Sequence, residues 1–86
     1  MFIDYSKLQW VGDTDGDATE YEGVSVVGMY MLPYTNICMD IDVEKHNVLA
    51  AWKEDYENDE TIDFTEDEFK EFIEKLKKDG VILDEL

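Results

Sequence analysis

One stretch of this chain, Phe64 to Val81, carries a complete set of helix signals, and it dictates what the rest must be. Thr65 followed by Glu68 forms a capping box, in which each side chain satisfies a backbone N–H that the first helical turn leaves unpaired. Phe64 stands where a hydrophobic staple reaches Phe69. Phe69, Phe72, Ile73 and Leu76 then recur at helical spacing, Gly80 occupies the usual left-handed stop, and Val81 is placed to touch Leu76. The spacing predicts a helix from about Glu66 to Asp79 with one aromatic stripe. A stripe of that kind must be buried against something, and 86 residues have room for one modest core. The preceding residues therefore have to supply a sheet.

They read as one. Lys7 to Val11 alternates polar and apolar residues, which predicts a short strand entering Gly12-Asp13-Thr14-Asp15-Gly16-Asp17, a cluster of turn formers. From Tyr21 the chain is apolar on both alternating faces, with Val24, Val26, Tyr30 and Leu32 on one and Val27, Met29 and Met31 on the other. That pattern belongs to a central strand, in which Gly28 marks a bulge or a close approach. Pro33 to Asn36 is a turn, after which Ile37, Met39, Ile41 and Val43 point one way and Cys38, Asp40 and Asp42 the other. Beyond Glu44 to Asn47, the segment Val48 to Trp52 reads as a hairpin return strand in preference to a helical turn through Val48, Leu49, Trp52 and Tyr56. The expected fold is a single α+β domain over residues 1–86, a small antiparallel β-meander of three or four strands with one C-terminal helix packed on the sheet. The tail from Val81 to Leu86 is available to add an edge strand.

Charge narrows the function. There are 23 Asp and Glu against 7 Lys, a formal net charge of -16, yet 44% of residues are hydrophobic and 13% aromatic, enough burial to offset the ordering entropy. Self-repulsion of this size disfavours the compact state, so an acidic surface directed at a cationic partner is its natural reading. Direct nucleic-acid binding is disfavoured by the same charge. The uncharged run Gly23 to Met39 falls short of the roughly 20 apolar residues of a membrane helix, and anionic lipid would repel the chain. A lone Cys38 and an acidic, discontinuous N-terminal segment point to a reducing, cytoplasmic location.

Three sets of acids are candidate partner surfaces, apart from those that the helix itself explains. Glu66, Asp67 and Glu68 in the first helical turn, balanced by Lys75, Lys77 and Lys78 in the last, are accounted for by the helix dipole. That account does not extend to Glu54, Asp55, Glu57, Asp59, Glu60 and Asp63, which lie before the cap with Tyr56 among them. They form the primary partner-binding surface, with Tyr56 as an apolar anchor within a charged ring. Asp40 and Asp42 form a second row on the outward strand face, about 6.5 to 7 Å apart from a rise of about 3.3 Å per residue, close to the spacing of successive phosphates. Asp13, Asp15 and Asp17, with Glu20 and Glu22 following, form the third.

Carboxylate arrays on a small rigid fold can occupy the Lys and Arg groove of a nucleic-acid-binding protein. In general profile the chain resembles the small acidic inhibitors that phages and mobile elements direct against host nucleases, restriction systems and repair enzymes, a resemblance of size and charge that rests on no motif. It implies a non-enzymatic inhibitor without a cofactor, whose partner is a basic, nucleic-acid-binding protein. Two alternatives stand beside it: an antitoxin or immunity protein for a basic toxin, and a weak calcium-binding domain using Asp13, Asp15 and Asp17. The last departs from an EF-hand, which needs Gly at the sixth position and Glu at the twelfth, where this chain has Ala18 and Val24.

No catalytic residue is assigned. Ser6, Ser25 and Cys38 have no recognisable elbow or base partner, and no Gly-rich phosphate loop precedes a helix. His46 reads as a turn residue without the further Cys or His that zinc would need. Cys38, beside Asp40, is expected to hold its proton in the negative field. Trp10 and Trp52 read as core or rim.

Overall fold

The computed structural model describes residues 2–15 and 21–84. In chain order the elements are β1 (Phe2–Ile3), a 3₁₀ turn (Tyr5–Lys7), β2 (Gln9–Asp15), β3 (Val26–Met31), β4 (Ile37–Asp42), β5 (Asn47–Asp55), β6 (Glu60–Asp63), α1 (Glu66–Lys78) and β7 (Ile82–Leu83). Strands β2 to β6 form one antiparallel sheet in sequence order, a meander, and β1 pairs with β7 in a separate two-stranded ribbon. The class is α+β as expected, but the main sheet has five strands instead of three or four, and the C-terminal tail pairs with β1 instead of extending that sheet.

The two extra features have physical causes. Strand β2 continues through Gly12 and Asp15, residues that read as a turn, because β3 offers a ladder from Val26 to Met29 to pair with. A bulge between Trp10 and Gly12 leaves Val11 without a strand partner and shifts the register by one residue beyond it. Strand β6 carries no apolar alternation and is exposed along its whole length, so its pairing with Trp52 to Asp55 of β5 is set by the hairpin turn. The segment Val48 to Trp52 is strand, as favoured, and β5 reaches Asp55. A second bulge, where Asp40 faces Ala50 and Ile41 faces Val48, leaves Leu49 as the extra residue of β5.

The helix forms where its signals lie. Thr65 accepts from the Glu68 amide, and the Glu68 side chain accepts from the Thr65 amide at 3.0 Å, closing the capping box. At the other end the Gly80 amide donates to the Lys77 carbonyl at 3.2 Å and the Val81 amide to the Leu76 carbonyl at 2.9 Å, with Gly80 at φ 77°, which is a Schellman stop. Phe64 meets Phe72 edge to face at 5.4 Å, one turn further along than the staple partner Phe69.

Phe72 and Leu76 are buried with Met39 and Ile41 of β4 and Ala51 of β5, while Ile3, Leu8, Val81 and Ile82 extend the same core beneath the ribbon. Helix and ribbon thus cover one face of the meander. On the opposite face Val27 and Cys38 are also buried. Gly28 is a point of close approach: a Cβ there would stand 2.7 Å from the Tyr30 ring and 2.9 Å from a Val43 methyl. Edges of the main sheet are β2 on one side and β6 on the other. Among the described residues no helix is long and apolar enough to cross a membrane.

Candidate functional site

The β5–β6 hairpin holds the densest acids, joined through a turn at 56–59 in which Asp59 takes φ 52°. Its base is fastened to the turn between β3 and β4, since the Glu54 amide donates to the Asn36 carbonyl at 2.8 Å and Asn36 Nδ2 donates to the Glu54 carbonyl at 3.0 Å. Its tip is stiffened by Asn58, whose Nδ2 and backbone amide donate to the Asp55 carboxylate at 2.8 and 3.3 Å. The Asn58 side-chain bond is the main reason that the Asp55 carboxyl lies below the usual carboxylate range.

Strand alternation divides these acids. Trp52 faces Asp63 and Glu54 faces Thr61 on one side of the hairpin, while Lys53 faces Ile62 and Asp55 faces Glu60 on the other. Glu54 is half-buried and accepts from Trp52 Nε1 at 2.7 Å, and Asp55 is half-buried as well. Glu57, Asp59, Glu60 and Asp63 are exposed, and none of the four forms an ion pair among the described residues. Tyr56 is 70% exposed beside them. The ion pairs Lys70–Glu66, Lys75–Asp79 and Lys77–Glu74 all belong to the helix and its cap.

The second predicted row is not an outward row. Asp42 is 3% exposed, and its Oδ1 accepts from the amides of Glu44 and Lys45 at 3.1 and 3.2 Å, so the carboxylate closes the turn after β4. Asp40 is half-buried and accepts from the Tyr21 hydroxyl at 2.9 Å. Strand sequence alone marks both as pointing away from the helix; it does not reveal what lies over that face.

In the third set, Asp13 and Asp15 lie within β2, not in a loop, and Asp13 Oδ1 accepts from Trp10 Nε1 at 3.0 Å. Asp17 and Glu20 lie outside the described residues, and among those described no group of three or more His, Cys, Asp or Glu gathers to hold a metal ion. His46 sits in the turn before β5 at φ 58°, its ring 5.7 Å from Phe2 and its Nδ1 3.3 Å from the Tyr5 hydroxyl. Burial, with smaller contributions from Glu54 and Asp40, pushes the Cys38 thiol up from its ordinary value. Burial, more than the negative field, therefore keeps that thiol protonated.

A cleft beside β5 is marked by no motif in the sequence. Strand β6 pairs with β5 only from Trp52 to Asp55, and the next rung is a single bond from the Phe64 amide to the Ala51 carbonyl at 3.3 Å. The chain then turns into α1. Where the ladder ends, a cleft of about 530 Å³ opens along Leu49, Ala50 and Ala51, walled by Tyr21, Asp40, Trp52 and Asp63 on one side and by Phe64, Glu66 and Phe69 on the other. Its walls come from four separate segments. The one hint in the sequence is that only Phe64 separates the last β6 residue, Asp63, from the helix cap, too little chain to cover the rest of β5.

Compared with protein-family models, with curated proteins and with solved structures, the chain shows no significant match in any of the three.

Proposed function

We propose that this chain is a small acidic protein-binding module that blocks the basic face of a nucleic-acid-binding protein, such as a nuclease or a DNA-binding factor, by presenting carboxylates where that face would hold phosphates. The observation that carries the reading is the hairpin end of the sheet, where Glu57, Asp59, Glu60 and Asp63 are exposed without ion-pair partners among the described residues, around an exposed Tyr56. A carboxylate that shares its charge with an exposed Lys offers a partner less than one that does not, and these four form no ion pair among the described residues. The helix, by contrast, carries five acids and four lysines and is nearly self-neutralised.

Glu54 and Asp55 support this surface through the indole and amide bonds they accept. Asp40 contributes to the field from a half-buried position, and Asp42 serves the turn. Binding driven by such a surface gains from the release of ions held by the basic partner, so it weakens steeply with salt. The charges outside the contact centre act mainly on the rate of encounter.

The test is an affinity capture from host lysate at low salt, comparing the wild type with a variant in which Glu54, Asp55, Glu57, Asp59, Glu60 and Asp63 become Gln or Asn. The reading expects a nucleic-acid-binding protein retained by the wild type alone and displaced by added DNA or RNA. Retention that is indifferent to salt and to the six substitutions would sink it.

A further inference from the structure

From the cleft beside β5 we infer a docking site for an extended peptide segment bearing Lys or Arg, which adds, as a short antiparallel or parallel strand, to the stretch of β5 that no strand among the described residues pairs with on its β6 side. The inference rests on the reading of this chain as a binder of basic proteins, and it gives that partner a specific point of attachment.

Three independent observations converge there. First, among the described residues no strand pairs with the β6 side of β5 before Trp52, so the edge at Leu49 and Ala50 offers main-chain groups to an incoming strand. The bulge at Leu49 bends the edge at this point, directly in the cleft floor. Second, the volume of about 530 Å³ lies within the range of sites that enclose a few side chains. Third, the walls combine the carboxylates of Asp40, Asp63 and Glu66 with the aromatic rings of Trp52, Phe64 and Phe69. Rings attract a cation through their faces and carboxylates through charge, so a Lys or Arg side chain matches both, whereas an acidic or purely apolar segment matches only part of the site.

The occupant is set by that complementarity. An extended segment places alternate side chains on one side, so a cationic residue can enter between Asp63 and Glu66 while its neighbour faces out. A second copy of this chain is disfavoured as occupant by its own charge of -16.

The experiment is a titration of the ¹⁵N-labelled chain with the blocked peptide Val-Arg-Val-Lys-Val, followed by amide and indole N–H shifts. Parallel titrations use Val-Glu-Val-Glu-Val, free arginine amide and an N-methylated form of the basic peptide. Saturable shifts are expected at Leu49, Ala50, Ala51 and the Trp52 indole, from the basic peptide alone. Asp63→Asn with Glu66→Gln, both exposed positions, should weaken binding about tenfold, the two exposed pairs together. Glu44→Gln with Glu71→Gln, exposed positions outside both the cleft and the hairpin surface, removes the same charge and should change it less than about threefold. Equal weakening by both pairs, shifts centred on the hairpin turn, or no saturable binding would overturn the site. Binding of arginine amide or of the N-methylated peptide as tight as that of the parent would overturn strand addition. A lysate capture repeated with Asp63 restored, so that only Glu54, Asp55, Glu57, Asp59 and Glu60 are substituted, leaves the cleft lining intact and stands apart from all of these outcomes.

Discussion

Replacing Gly28 by Ala sets two effects of known sign against each other, and the structure says which wins. Ala restricts the unfolded chain, and where the native site accepts a methyl group this stabilises a protein by about 0.4 to 1 kcal/mol. At Gly28 the site does not accept it, because the new Cβ would stand 2.7 Å from Cε2 of Tyr30 and 2.9 Å from Cγ1 of Val43. The Tyr30 ring cannot simply swing away, since it packs on Tyr5 at 5.1 Å, and the Tyr5 hydroxyl in turn meets His46. Overpacking of this kind costs about 1 to 3 kcal/mol, so the net loss is about 1 to 2 kcal/mol, or roughly 5 to 12 °C in melting temperature for a domain of this size. Gly12→Ala supplies the control, for nothing lies within 4 Å of its Cβ and the φ is not left-handed. It should leave stability unchanged or raise it by about 0.5 kcal/mol. Urea unfolding followed by tryptophan fluorescence measures both. A Gly28→Ala variant as stable as wild type, or two variants that shift together, would show that the sheet relaxes around Gly28 and that the contact is not tight.

Thr65→Ala removes the acceptor of the Glu68 amide and should cost about 1 kcal/mol in thermal melts, while Glu68→Gln, which can still reach the Thr65 amide, should cost clearly less. Asp42→Ala strips two turn amides of a buried acceptor and should cost about 1 to 3 kcal/mol, with Asp42→Asn milder because its oxygen can still accept; equal losses would mean that charge, not the hydrogen bonds, is what matters there. Burial holds the Cys38 thiol above its ordinary value of 9.0, so as pH rises the unfolded chain releases this proton first. The stability contributed by the neutral thiol is therefore complete below that value and is lost above it; wild type should weaken more than Cys38→Ala between about pH 8 and pH 10 in urea midpoints, and parallel slopes would refute the assignment. Tyr5 and Tyr30, also raised chiefly by burial, titrate in the same direction in both proteins and cancel in that comparison.

The parts of the fold written in local signals could be read in advance. Thr65, Glu68 and Gly80 bound the helix because caps act over three or four residues, and the alternation from Ile37 to Val43 identifies β4 and the face it turns to the helix, though not the burial of Cys38 and Asp42 on the other. Strand β6 escaped because Glu60, Thr61 and Asp63 have no core to point at; its place follows from the turn that Asn58 and Asp59 make. The β1–β7 ribbon escaped for a different reason, since two-residue strands at opposite ends of the chain leave no periodicity. The acidic segment itself was legible, but its division between faces depends on the register of Trp52 against Asp63, and the burial of Asp42 on a turn that its own carboxylate closes. The cleft depends on where a ladder stops, which is a property of two strands together.

Open antiparallel sheets face a common hazard, because an unpaired outer strand invites a like strand from a neighbouring molecule. Here the outer strands are β2, which includes Asp13 and Asp15, and β6, which includes Glu60 and Asp63. Two copies meeting along these borders bring carboxylates against carboxylates, so the charge that the proposed function directs at a basic partner also keeps identical chains apart. Protonating or screening those carboxylates removes both effects together. Acid or concentrated salt should therefore release a partner and, under the same conditions, let the protein join to itself.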